Sequence, residues 1–224
     1  MMQSKVTADR IPEKYVNWFV SSRVKMLNEM KEGKPLRYFS AHLPIMCTWL
    51  NNPDQQTENT NFPVNMTVKG IGLIPEKEYL THYTDIFEAT LANFRSEPWQ
   101  DSLNKRVDAM CALYAKNTHF NDTLMGGLEI FEGRAFKNLR ENPFASLLYV
   151  GMNHTSEGME YISFQINGEV EILEKDNPYY NYLLQARKLF EFDKFHIYQP
   201  DYPYGYLIRV REVIDKSPWS RKNK

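Results

Sequence analysis

Apolar residues recur at helical spacing over residues 12–31, where Tyr15, Val16, Phe19, Val20, Val24 and Leu27 share a face. The spacing predicts an amphipathic helix, with Pro12 in its first turn and Gly33 and Pro35 ending it. Residues 36–50 are dense in Phe39, Leu43, Ile45, Met46 and Trp49, and their period does not choose between helix and strand. Residues 51–61, NNPDQQTENTN, are polar and rich in breakers, which predicts a loop and the best candidate for a disordered excursion. Over residues 62–74, Val64, Met66 and Val68 alternate with polar neighbours, the period of one strand.

A second helix opens at Pro75 and Glu76 and is carried by Tyr79, Tyr83, Ile86, Phe87, Leu91 and Phe94. Pro98 and Trp99 separate it from a third, capped by Asp101 or Ser102, with Leu103, Val107, Met110 and Tyr114 on one face. Residues 121–139 fit helical spacing roughly. Gly126, Gly127 and Gly133 weaken that reading, and a strand followed by a turn competes with it. The last third predicts a strand at 144–152, a loop at 153–158 and a strand at 160–173 with a bulge at Gly168. A helix at 178–192 and strands at 194–199 and 206–214 follow, the last two joined by the stiff aromatic segment PDYPYG. Strands and helices alternate too irregularly for a doubly wound sheet. The expected class is α+β, a helical N-terminal half packed on a mostly antiparallel sheet. We expect a single domain over 1–224, with a subdivision into a mainly helical 1–120 and a sheet-forming 121–224.

Composition narrows the function classes. Hydrophobic residues at 42% and charged residues at 25% mark a globular chain able to bury a core. A net charge of -1 gives no electrostatic footprint for nucleic acid, so no nucleic-acid partner is expected. The basic tail from Arg221 to Lys224 is expected to be a solvated end. Cys47 and Cys111 match no CxxC or zinc spacing, and a disulfide framework would need a secretory context. The first ten residues lack the apolar core of a signal peptide, and no run approaches the ~18 apolar residues of a membrane span. A cytoplasmic protein with no membrane partner is the expectation.

No phosphate-binding loop, dinucleotide fingerprint, HExxH or GxSxG is present. None of the five histidines forms a pair within a helical turn. His196, in the apolar run FHIY, and His154, in the predicted loop, are the two that could ligate a metal or a haem. His42 lies near Met46 and Cys47, a soft-ligand combination for which core packing is the plainer account. Glu169 and Glu171 share a strand face, which places them on the solvated side. Tyrosines crowd the end of the chain at positions 179, 180, 182, 198, 202, 204 and 206. They serve either packing or an aromatic pocket or interface, with segment 198–206 the contact surface of an interaction module.

The string GRAFKNLRENP at 133–143, followed by the strand FASLLYVGM, resembles the FMN-binding split-barrel proteins related to pyridoxamine-phosphate oxidase. The second strand YISFQINGEVEIL, the following helix and the closing KSPW extend the resemblance over about residues 125–219. It implies a split β-barrel, a flavoprotein that binds FMN as an oxidoreductase of unknown substrate, and a homodimer. Arg134, Lys137 and Asn138 would hold the phosphate, with Tyr149 or Tyr161 near the ring. Cations and amide donors suit a phosphate, and apolar walls suit an isoalloxazine. The alternatives are a non-enzymatic ligand-binding or sensory domain for a planar group such as haem, with His196 or His154 as ligand, and a protein-interaction module. Whether the chain is an enzyme stays open at this point.

Overall fold

The computed structural model describes residues 7–34, 41–50, 62–156, 158–190 and 202–218. In chain order these form β1 (Thr7–Ala8), α1 (Glu13–Lys31), β2 (Ile45–Trp49), β3 (Val64–Val68), β4 (Ile71–Pro75), α2 (Lys77–Asn93) and α3 (Trp99–Leu113). They continue as β5 (Phe120–Glu129), α4 (Arg134–Glu141), β6 (Phe144–Thr155), β7 (Gly158–Leu173), α5 (Pro178–Lys188) and β8 (Tyr204–Asp215). The strands run β3-β2-β6-β7-β8-β5-β4, with β1 added to β8, and each described pairing is antiparallel. The α+β class and the antiparallel sheet are as expected.

The strand order carries a geometric consequence. β3 and β4 are the two ends of the path, yet only Lys69 and Gly70 separate them in sequence. Two residues span only a few ångströms. The sheet must therefore curl until its ends meet, as in a split barrel. The single strand expected over 62–74 is in fact this corner, β3 pairing with β2 and β4 with β5. The approach is close: a Cβ on Gly127 would lie 2.1 Å from the Gly70 carbonyl oxygen, so only glycine fits in β5 there. Gly126 and Gly127 thus belong to a strand, and the helical reading of 121–139 is corrected to β5, a turn and the short α4.

Alternation along β6 and β7 fixes the two sheet faces. Ala145, Leu147, Tyr149, Ile162, Phe164 and Ile166 point inward and are buried. Tyr15, Trp18 and Phe19 of α1 meet them, with Tyr15 edge-on to Tyr149 and Phe164 at 5.2 Å each. A second core joins α2, α3 and α5 to the outer sides of β5 and β8, through Phe87, Leu113, Tyr182 and Leu207 among others. Burying an aromatic or aliphatic side chain of this kind contributes ~1.5–3 kcal/mol each.

Several boundaries moved. Pro12 is the N-cap of α1 and not a residue of its first turn, and Pro98 rather than Asp101 or Ser102 occupies the N-cap of α3. Ser102 is buried and bonds the Trp99 carbonyl. β6 runs on to Thr155, so the predicted loop at 153–158 shrinks to a hairpin end. The register shift between Asn167 and Gly168 is the expected bulge. The first half carries α1, α2 and α3 but also β2, β3 and β4, so strands from both halves share one sheet. The loop at 51–61 and the strand at 194–199 lie outside the described residues. No helix among the described residues is long and apolar enough to cross a membrane.

Candidate functional site

Helix α4 is amphipathic to an unusual degree for eight residues. Ala135, Phe136, Asn138 and Leu139 are buried, while Lys137 and Arg140 face out. Phe136 stacks on Tyr204 at 4.8 Å, and the Arg140 guanidinium lies over the Phe136 ring at 5.9 Å. Polar contacts seat the helix on β2. Asn138 Nδ2 donates to Thr48 Oγ1 at 3.2 Å, and Asn142 Nδ2 donates to the Trp49 carbonyl at 3.1 Å. Gly133 caps the helix without a side-chain bond, and Arg134 opens it. The Arg134 guanidinium donates to the carbonyl of Phe62, two residues before β3. Arg134 and Lys137 thus stand one turn apart at the positive end of a helix dipole.

The turn before α4 hangs on Glu129, the last residue of β5, which is completely buried. One carboxylate oxygen accepts the backbone N–H groups of Ile130, Phe131 and Glu132 at 3.1, 2.9 and 3.0 Å. The other accepts Lys69 Nζ at 2.6 Å and the Tyr206 hydroxyl. Lys69 also lies 5.5 Å from the centroid of the Tyr206 ring. Burial opposes ionisation of Glu129 most strongly, but Lys69, Tyr206 and the Phe131 N–H outweigh it and hold the carboxyl below its ordinary value. Burial, and then the Glu129 carboxylate, push the Tyr206 phenol up, so it stays protonated and donates.

Over β3, β2, β6 and the start of β7, the sheet face opposite the first core is apolar and largely exposed. Register places Val68, Ile45 and Leu148 in one cross-strand row and Met66, Cys47 and Ser146 in the next. Val150 and the pair Met152 and Tyr161 extend it along the β6–β7 hairpin. Met66 is 64% exposed, Val150 60% and Tyr161 53%. Phe62, whose carbonyl takes the Arg134 bond, is 67% exposed at the edge of this face. Exposed apolar surface on this scale marks a binding site or an interface.

The residues singled out from sequence do not form one cluster. Arg134 and Lys137 come together at the start of α4. Asn138 is on the same helix but points into the protein, where its Oδ1 is buried and has no hydrogen-bond partner among the described residues. Tyr149 points into the core at 1% exposure, with burial raising its phenol, and Tyr161 points out through the opposite face of the sheet. His154 lies in β6 opposite Met159, and His196 lies outside the described residues. His42 Nδ1 is 2.7 Å from Arg23, and among the described residues no group of three His, Cys, Asp or Glu side chains could hold a metal. Glu169 and Glu171 pair with Arg211 and Arg209 on the solvated side, as expected. Tyr180, Tyr182, Tyr202 and Tyr206 are buried, which assigns them to packing, and Tyr198 lies outside the described residues. Sequence reading missed Glu129, Lys69 and Phe62. Lys69 and Glu129 are 60 positions apart in sequence, which leaves no local pattern to find.

No family model matches the sequence, and no curated protein matches it. Three solved structures show a distant likeness to the chain, each with a TM-score under 0.5. A candidate pyridoxamine 5′-phosphate oxidase from Lactobacillus delbrueckii matches over 95% of this chain and 99% of its own, at 11% identity and a TM-score of 0.40. An FMN-binding protein from Syntrophomonas wolfei matches over 92% and 93%, at 7% identity and a TM-score of 0.43. HutZ, the haem storage protein of Vibrio cholerae, matches over 92% and 96%, at 10% identity and a TM-score of 0.43.

Proposed function

We propose that the chain binds a planar cofactor with an anionic tail, FMN in the first instance, and serves as a redox protein. One observation carries the reading: a helix start bearing two cations, Arg134 and Lys137, sits at the edge of an exposed apolar sheet face through the Arg134 bond to Phe62. The residues present fit the group. A guanidinium and an ammonium suit a phosphate, and an apolar face with an aromatic residue, Tyr161, suits a flavin ring. FMN, when bound, supplies hydride and one-electron chemistry. The chain's own part is to hold the tail at Arg134 and Lys137, to lay the ring against the outer face and to keep water from it. Asn138 acts at one remove, through its bond to Thr48, by fixing α4 on β2. Tyr149, enclosed in the core, supports the face from beneath. A second copy of the chain covers the rest of the face, which makes the working form a homodimer.

Riboflavin and FMN differ only in the phosphate, so their comparison tests the reading. Charge-assisted bonds contribute ~1.5–3 kcal/mol each, so FMN should bind at least about ten-fold more tightly than riboflavin. Arg134→Ala with Lys137→Ala should erase that preference in a folded protein. Equal affinities in the unmodified chain would refute the assignment of the cations. Haem is the second reading, favoured by the place of His154 in β6, on the same hairpin as Met152 and Tyr161. A Soret band that His154→Ala or His196→Ala removes, with no flavin bound, would move the assignment to haem.

A further inference from the structure

Three successive backbone N–H groups, those of Ile130, Phe131 and Glu132, converge on one oxygen of Glu129. Such a concavity is a ready-made oxyanion site. Lys69 and the Tyr206 hydroxyl complete it on the second oxygen. The chain fills the site with its own carboxylate, and the turn so held is bent: Glu132 sits at φ +46°, in the left-handed region that a non-glycine residue enters only when its surroundings compel it. Gly133 and α4 follow at once. Lys69, meanwhile, is the corner residue between β3 and β4, and Tyr206 belongs to β8. A single carboxylate therefore ties the barrel's corner, a central strand and the turn that delivers Arg134.

We infer that Glu129 is a positioning residue: it fixes the 130–133 turn so that Arg134 and Lys137 are held ready for the cofactor's anionic tail. The inference rests on the cofactor reading above. Glu129 touches no ligand itself.

Glu129→Ala removes two carbons and two oxygens, the heavy atoms of acetate, so acetate can refill the vacated site. Two readouts are taken on the full chain, with acetate or with chloride at equal ionic strength. The first is amide hydrogen exchange at residues 130–132 without cofactor, and the second is FMN affinity. In Glu129→Ala with chloride, these amides should exchange faster than those of β6 and β7, and FMN should bind about ten-fold more weakly, as when a residue that orients a contacting group is lost. Acetate should restore both. If Glu129→Ala does not fold, Glu129→Gln replaces it. Its one carbonyl oxygen cannot serve both the three N–H groups and Lys69, so it should show the same changes in smaller degree. Unchanged FMN affinity in a variant whose amides at 130–132 exchange freely would overturn the positioning role, and so would amides that stay protected. An unmodified chain that binds no FMN would remove the cofactor reading, and the positioning role with it. A chain that binds FMN regardless of the Glu129 variant would remove only the positioning role.

Discussion

Replacing Lys69 by methionine tests the buried cluster most sharply. Methionine keeps most of the side-chain length and can still pack on the Tyr206 ring, so the change chiefly removes a charge. Glu129 then remains enclosed with four donors, three backbone N–H groups and Tyr206, but no cation. Breaking a buried pair from one side typically costs ~3–5 kcal/mol. A second estimate bounds the loss. The carboxyl can escape by taking a proton, which at a pH near 7 costs about 1.36 kcal/mol for each of the roughly 2.7 pH units above an ordinary Glu value near 4.3, or about 3.7 kcal/mol. The remaining donors soften the loss, so about 3 kcal/mol is expected near pH 7. The pH dependence follows from the sign of the shift. In the unmodified chain Glu129 is held below its ordinary value, so its contribution is intact above about pH 4.3 and fades as the pH falls through its folded value. In Lys69→Met the carboxyl titrates upward, so acid relieves the variant and the difference should shrink to about 1 kcal/mol near pH 5. Urea unfolding followed by tryptophan fluorescence at the two pH values reads both numbers, provided the slope with denaturant is unchanged. A loss below about 1 kcal/mol that does not vary with pH is the behaviour of an exposed ion pair and would show that Glu129 and Lys69 are not a buried pair.

Gly151→Ala should lower the melting temperature, because its Cβ would lie 2.6 Å from Cζ2 of Trp18 on α1; overpacking of this kind costs ~1–3 kcal/mol. An unchanged melting temperature would show that α1 shifts freely over β6. Val150→Asp with Met152→Asp should turn a dimer into a folded monomer in light scattering, since both residues face outward on β6 and are absent from the core. A dimer that persists would place the interface elsewhere.

Local patterns made much of the fold legible. The period of α1, the alternation of β7 and the bulge at Gly168 each depend on neighbours within a few residues. The corner at Lys69 and Gly70 was hidden because two residues are too short a break to mark a turn between two runs that are both strand-like. Only the strand order shows that the two belong to opposite ends of the sheet. Gly126 and Gly127 weakened the helical reading of 121–139, and the strand-and-turn alternative is the one that holds. Glycine weakens a helix by propensity, but here Gly127 answers a close approach by Gly70, 57 positions away in sequence. Arg134 and Lys137 were legible as a basic pair ahead of the Asn142–Pro143 turn, whereas the helix they open was not. Phe62, whose carbonyl takes the Arg134 bond, and the Glu129 cluster depend on folded contacts that leave no trace in a local window. Tyr149 and Tyr161 differ in parity along paired strands, which decides that one faces the core and the other the solvent.

The absorption spectrum of the protein mixed with FMN, and of the Arg134→Ala, Lys137→Ala variant treated alike, is the most direct test. After free flavin is removed, the unmodified chain should retain a flavin spectrum and the folded variant should lose it. A chain that emerges colourless, or a variant that keeps the flavin, would contradict it.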